Sequence, residues 1–293
     1  MSSAFLPSGA SWFGTMLREL RSIEPPALVA AFIVLAYVVV ALTAPLWAPY
    51  DPSAVMVGMP LAPPGADHLL GTDSLGRDVF SRVVLGSRPV LIMSISAALL
   101  AVSIGATLGL FAAYLGGWFD QLLMRGLDAL ISVPTLILGM LILSAAGNTA
   151  VLVVVTVAFI NVPRIARVVR AATLAIVSED YITSAVTRGV PPFSMVFVEL
   201  LPNVLGTILV EFAVRSGFII VFIGALGFLG FGAPPPTPEW GVMINEGRST
   251  ISVSLWPVLA PAAAMAILVV SLNLVTDAIA GRIGTGLSSR PRV

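Results

Sequence analysis

The chain contains no cysteine, no lysine and one histidine, His68. Without thiols it can form no disulfide, thiolate metal site or cysteine nucleophile. A single imidazole confines any Ser-His-Asp arrangement or His-based metal site to the neighbourhood of His68. That residue stands beside Asp67 in a loop and reads as solvated and idle. Charge is scarce as well: 10% of the 293 residues are charged, 58% are hydrophobic and mean hydropathy is +1.02. Such a composition is foreign to a soluble domain and describes an all-α polytopic membrane protein, since helices satisfy their own backbone groups in lipid. The sequence shows no paired catalytic acids, no nucleophile with its base, no metal cluster and no phosphate-binding glycine loop. An enzyme is therefore not expected, and with no basic patch interleaved with aromatics neither is nucleic-acid binding.

About 20 apolar residues cross a bilayer core, and the sequence offers six such runs. They lie at about 27–46, 89–115, 127–146, 149–166, 203–231 and 256–280. Pro134 in the third and Pro261 in the sixth predict local kinks and not breaks. The first run is uncharged and lacks a cleavage site after it, so it reads as an uncleaved anchor. An N-terminal segment, 1–26, precedes it, and an outer loop with an interfacial helix, 47–88, leads from it into a five-helix unit at 89–283 that includes the polar insertion at 178–206, followed by a tail at 284–293. All fifteen cations are arginine. With the N-terminus inside, the inner side carries Arg18, Arg21, Arg125, Arg164, Arg167, Arg170, Arg188, Arg282, Arg290 and Arg292. The outer loops carry Arg77, Arg82, Arg88 and Arg248. This bias places both termini in the cytoplasm.

The outer loop begins proline-rich and continues as GTDSLGRD at 71–78. Asp73 or Ser74 can cap a helix from near Leu75 to Gly86, either a plain surface helix or part of an external docking surface. In the second span Ala101, Gly105, Gly109 and Ala113 recur every four residues, a small-residue stripe that lets a helix approach closely. Its partner is a helix of the same chain or of a second subunit. After the fifth span GFLGFGAPPPTPEWG combines glycine bends with proline stops. Trp240 and Trp256 suit the outer interface, and Glu239 reads as a loop carboxylate.

Ionisable residues within or near spans are few: Asp128, Glu211, Arg215 and Asp277. Glu211 and Arg215 stand four apart, where a helix lets them pair. Asp128 and Asp277 lie near the inner ends. No carboxylate occupies the bilayer centre in the way a proton-driven carrier would need, which weakens that class without removing it.

The long polar insertion at 178–206 follows a helix end whose Arg164, Arg167 and Arg170 can snorkel to headgroups. Beyond Glu179 and Asp180, Tyr181, Ala185 and Arg188 recur at helical spacing. Gly189 then ends the helix as a C-cap glycine, before Pro191, Pro192, a second short apolar helix and Leu201-Pro202. A short exposed helix with little to bury against in its own chain is suited to fill a groove on another protein.

At these residues the chain resembles the membrane permease subunits of binding-protein-dependent ATP-binding-cassette importers. Their cytoplasmic loop reads E-A-A, three residues, G, nine residues, I, one residue, L-P. Thr183-Ser184-Ala185, Gly189, Glu199 and Leu201-Pro202 occupy its positions: Ser184-Ala185, the glycine and Leu-Pro match, while Thr183 and Glu199 depart from it. HLLGTDSLGRDVFSR at 68–82 and PPTPEWGVMINEGR at 235–248 are similar to the C-type subunit of the dipeptide, oligopeptide and nickel branch. The resemblance implies the type I importer permease fold: six transmembrane helices and a cytoplasmic coupling-helix loop. It also implies a second homologous permease, two cytoplasmic ATPases or one fused ATPase, an extracytoplasmic solute-binding protein and a bacterial inner membrane. ATP and Mg would be bound by the ATPases, leaving this chain with no cofactor, metal or catalytic residue. Tyr181, Ser184, Ala185, Arg188, Gly189, Val190, Leu201 and Pro202 are then the expected ATPase-coupling residues. Asp73, Arg77, Asp78, Pro238, Glu239 and Trp240 would form an external docking or gate region. Peptides are the expected cargo; nickel chelates, haem, another small solute and an ATP-independent carrier are the alternatives.

Overall fold

Apolar runs with too little water to bond their backbones fold as helices, and a computed structural model, describing residues 25–288, is helical throughout its long elements. Arg18, Arg21, Arg290 and Arg292 of the charge count lie outside the described residues. Helix α1 is Pro25–Trp47, α2 Val79–Leu115, α3 Gly117–Ser132, α4 Thr135–Ala146, α5 Ala150–Val177 and α6 Asp180–Thr187. Helix α7 runs Pro192–Phe228 with a π-helical stretch at Met195–Leu200, followed by α8, Trp240–Gly247, and α9, Trp256–Ser288. Among the described residues five helices are long and apolar enough to cross a membrane, or six if α3 and α4 form one span.

Three expectations are corrected here. The third span is broken, not kinked: α3 and α4 meet at 89°. Val133, preceding Pro134, takes an extended conformation (φ −82°, ψ 129°) because the proline ring disfavours helix there. No helix starts near Leu75, and none ends at Gly86. Asp78 caps α2 by accepting the Ser81 N–H at 2.7 Å, and α2 continues through Pro89 to Leu115. The second apolar helix of the polar insertion is the beginning of α7. Pro202 has no N–H to donate, and just before it the register slips, with the Leu201 N–H bonding the Val196 carbonyl five residues back.

The small-residue stripe of α2 is filled from within the chain. A methyl group on Gly105 would lie 2.8 Å from the Ile165 side chain, and one on Gly109 would lie 2.5 Å from the Ala166 carbonyl. Only glycine lets α2 and α5 approach so closely, and Ala101 and Ala113 are buried in the same seam. Both helices contribute to a core at the α6 end of the molecule, where Leu110, Ile165 and Val169 meet Met195, Val196 and Leu200 of α7. A second core joins α2, α4, α5 and α7 through Met93, Leu143, Val157 and Phe222.

Candidate functional site

The polar insertion forms a helix with two unlike faces. Ile182 and Ala185 are 2% and 0% exposed and belong to the α2–α5–α7 core, so α6 does have its own chain to bury against, contrary to the sequence expectation. Tyr181, Ser184 and Arg188 are exposed, and burial pushes the Tyr181 hydroxyl pKa up, aided by the carboxylates of Glu179 and Glu199. The helix ends in a Schellman arrangement. The Gly189 N–H bonds the Val186 carbonyl at 2.9 Å and the Val190 N–H bonds the Ala185 carbonyl at 3.2 Å. Gly189 adopts φ +76°, a left-handed conformation that suits glycine. Leu201 is partly buried and Pro202 exposed within α7, while the Asn203 side-chain amide donates to the Glu199 carbonyl at 2.6 Å.

At the opposite end, two stretches about 165 residues apart in sequence pack together. Arg77 donates to Asp73 at 2.6 Å and to Glu246 of α8 at 2.7 Å; Arg82 donates to the same carboxylates at 2.5 and 2.9 Å. Asp73 also accepts the Leu75 and Arg77 backbone N–H groups, closing the turn that leads into α2. Trp240 is fully buried, not placed at the membrane interface as its amphipathic ring suggested. Its indole N–H donates to the Val83 carbonyl at 3.0 Å, and Gly86 is tight against the Pro238 carbonyl and the indole. His68 is likewise buried, its Nδ1 lying 2.9 Å from Asp78 and its ring 5.0 Å from that of Tyr50. It is a packed member of the loop and not a solvated bystander.

Glu239 occupies the most constrained position of this end. It is fully buried and caps α8, accepting the Gly241 and Val242 N–H groups at 2.8 and 3.2 Å. Its carboxyl tip fits against Gly227 and Gly232, where a methyl group would approach it to 2.2 and 2.6 Å. Burial raises its pKa to about 7, against the opposing pull of the two backbone donors. Glu246, the shared partner of both arginines, escaped the sequence reading. Asp78 is taken up by His68 and Ser81, so both arginines turn to Asp73 and to a second acid whose position was set by folding.

Between the two ends, Glu211 and Arg215 form the i,i+4 pair at 2.5 Å. The three arginines of α5 are held within the chain: Arg167 pairs with Asp128, Arg170 with Asp120, and Arg164 lies 5.9 Å from the centre of the Phe218 ring. Phe218 stacks in turn on Phe222 at 5.9 Å.

The family described as "Binding-protein-dependent transport system inner membrane component" matches residues 105–288. The glutathione transport system permease protein GsiD of Pectobacterium atrosepticum is 38% identical over 226 residues, covering 77% of this chain and 75% of that protein. The dipeptide transport system permease protein DppC of Alkalihalophilus pseudofirmus is 34% identical over 256 residues, covering 86% and 83%. GsiD of Escherichia coli O157:H7 is 37% identical with the same coverage. On these matches, which span the α2–α5 seam, α6 and the buried α8 region, the chain belongs to the family of binding-protein-dependent transport system inner membrane components.

Proposed function

We propose that this chain is one of two permease subunits of an ATP-driven importer that carries peptides across a bacterial inner membrane, with both termini cytoplasmic. The observation that carries the reading is the two-faced α6. Its Ile182–Ala185 side is locked into the core shared by α2, α5 and α7, and its Tyr181, Ser184 and Arg188 side is free to be gripped. A displacement imposed on the free side therefore moves the core as a unit, and the chain couples motion without catalysing a reaction. ATP and magnesium belong to the cytoplasmic ATPases. ATP binding closes those subunits and opens the permease pair outward to accept cargo from a solute-binding protein; hydrolysis resets it inward. Peptide cargo is supported by relatives named for glutathione and dipeptide transport. Tyr181 to Val190 is the part an ATPase holds, and α7 from Phe193 through Leu201-Pro202 carries the movement onward. Asp73, Arg77, Asp78, Pro238, Glu239 and Trp240 are buried at the opposite end. Their part in docking or gating is to hold the loop and α8 in one shape.

The test is purification and reconstitution. The chain should copurify with a second permease and ATPase subunits, and peptide uptake into proteoliposomes should require ATP and the binding protein. Uptake by the chain alone, without ATP, would show a secondary carrier instead.

A further inference from the structure

Arg164 is the one arginine of α5 with no carboxylate within ion-pair reach among the described residues, since Arg167 and Arg170 have Asp128 and Asp120. It sits fourteen residues into α5, about 21 Å from the start of that helix at 1.5 Å per residue. Thirteen residues separate Arg215 from the corresponding end of α7, about 20 Å, so both cations lie deep in the span, and Arg215 is neutralised by Glu211. An unpaired guanidinium at such depth is costly against hydrocarbon and is found facing a bundle interior or a water-filled cavity.

The broken third span explains why this position is open. Helix α4 covers the neighbouring turn, with Gly139 close to both Ile160 and Phe222. Arg164 and Phe218 are each four residues further towards the α6 end. There α4 has ended at Val133-Pro134, and α3 has turned away by 89° to pack Leu127 against Val162 and Ala166. Phe218 is left 39% exposed and Arg164 partly exposed. The aromatic ring lies against one side of the guanidinium, and among the described residues no hydrogen bond or ion pair engages its donors.

We propose that Arg164, held over Phe218, is a carboxylate-binding and specificity-determining residue of the translocation path, engaging the carboxylate of peptide cargo as it passes the α3–α4 break. The inference rests on the peptide-importer reading above. A planar guanidinium matches a carboxylate with two parallel hydrogen bonds, which an ammonium cannot reproduce.

The test uses the complete transporter in proteoliposomes, with binding protein and a dipeptide carrying a free C-terminal carboxylate. Arg164→Gln should lower uptake per ATP hydrolysed by about tenfold, the loss of one charge-assisted interaction. Arg164→Lys should retain an intermediate ratio, and neither change should affect subunit assembly. In the wild-type complex, the dipeptide should slow phenylglyoxal modification of Arg164, read by mass spectrometry, and its C-terminal amide should not. An unchanged uptake ratio in Arg164→Gln, or equal protection by acid and amide, would overturn the assignment. Loss of assembly in Arg164→Gln would also overturn it, by identifying a subunit-pairing residue. If the wild-type complex imports no peptide, the functional reading itself fails; if it does, failure of the variant concerns Arg164 alone.

Discussion

Replacing Gly189 with valine tests whether α6 transmits motion as a rigid element. A methyl group added at Gly189 meets nothing within 4 Å, so steric overlap contributes no penalty. The cost comes from the backbone, because φ +76° is a conformation that L-residues occupy at about 1–2 kcal/mol, with β-branched side chains faring worst. Relief requires Gly189 to rotate out of the left-handed region, which breaks the 2.9 and 3.2 Å bonds to Val186 and Ala185 and releases Val190 from the cap. A strain of this size shifts a local equilibrium by about 5–30-fold, enough to fray the end of α6 while the α2–α5 core stays folded. The Gly189→Val complex should assemble and keep its basal ATPase activity. Its stimulation by the liganded binding protein and its uptake should fall by a comparable factor. Gly189→Asn, which tolerates the left-handed region, should lie near wild type. Equal activity of the valine and asparagine variants, measured in proteoliposomes, would refute the argument, because it would mean that the cap geometry is irrelevant to coupling.

Three further outcomes are expected. The Glu239 carboxyl, with its pKa raised to about 7, keeps its proton in the folded state where an unfolded carboxyl at 4.5 has lost it. Stability should therefore fall as pH rises from about 4.5 to about 7 and level off above, by about 3 kcal/mol in total. Thermal unfolding of the purified complex should show that slope in wild type and lack it in Glu239→Gln, whose amide oxygen can still accept a cap bond; a Glu239→Gln curve as steep as wild type would point to another group. Gly109→Val places side-chain atoms against the α5 backbone, 2.5 Å from the Ala166 carbonyl at the first carbon, and should cost at least about 1–3 kcal/mol, read as a lowered Tm. Asp73→Asn leaves Arg77 and Arg82 to share Glu246 alone, and its loss of about 3 kcal/mol should appear in the same assay, with Glu246→Gln milder because Glu246 is less buried.

Local chemistry made the helices, the glycine stripe and the Gly189 cap legible, since each depends on residues a few positions apart. Proline shows where such reading stops. Pro45, Pro89, Pro163 and Pro261 all lie inside continuous helices, Pro202 follows a π-helical slip, and Pro134 marks the break between α3 and α4. The same ring produces three results because neighbouring helices decide whether the disturbed backbone is held straight. Around Val133-Pro134, α3 gains burial of Leu127 against Val162 and Ala166 by turning away. No pattern within residues 127–146 encodes that partner.

The buried end of the molecule was illegible for the same reason. Taken alone, the two stretches read as a cap at Asp73 on a surface helix carrying Arg77, a loop carboxylate at Glu239 and an interfacial indole at Trp240, since charge and indole normally seek water or the interface. Only when residues 68–82 and 235–248 meet do two arginines find two carboxylates, and only then can so polar a set be buried. Each arginine bridges Asp73 of the loop and Glu246 of α8, so displacing one stretch from the other would strip buried charges of a partner, and the loop and α8 are constrained to move together. The flexible joints of the permease must then lie elsewhere, and Arg164, which has no ion pair among the described residues, stands beside the α3–α4 break at the position where the fold leaves the span discontinuous.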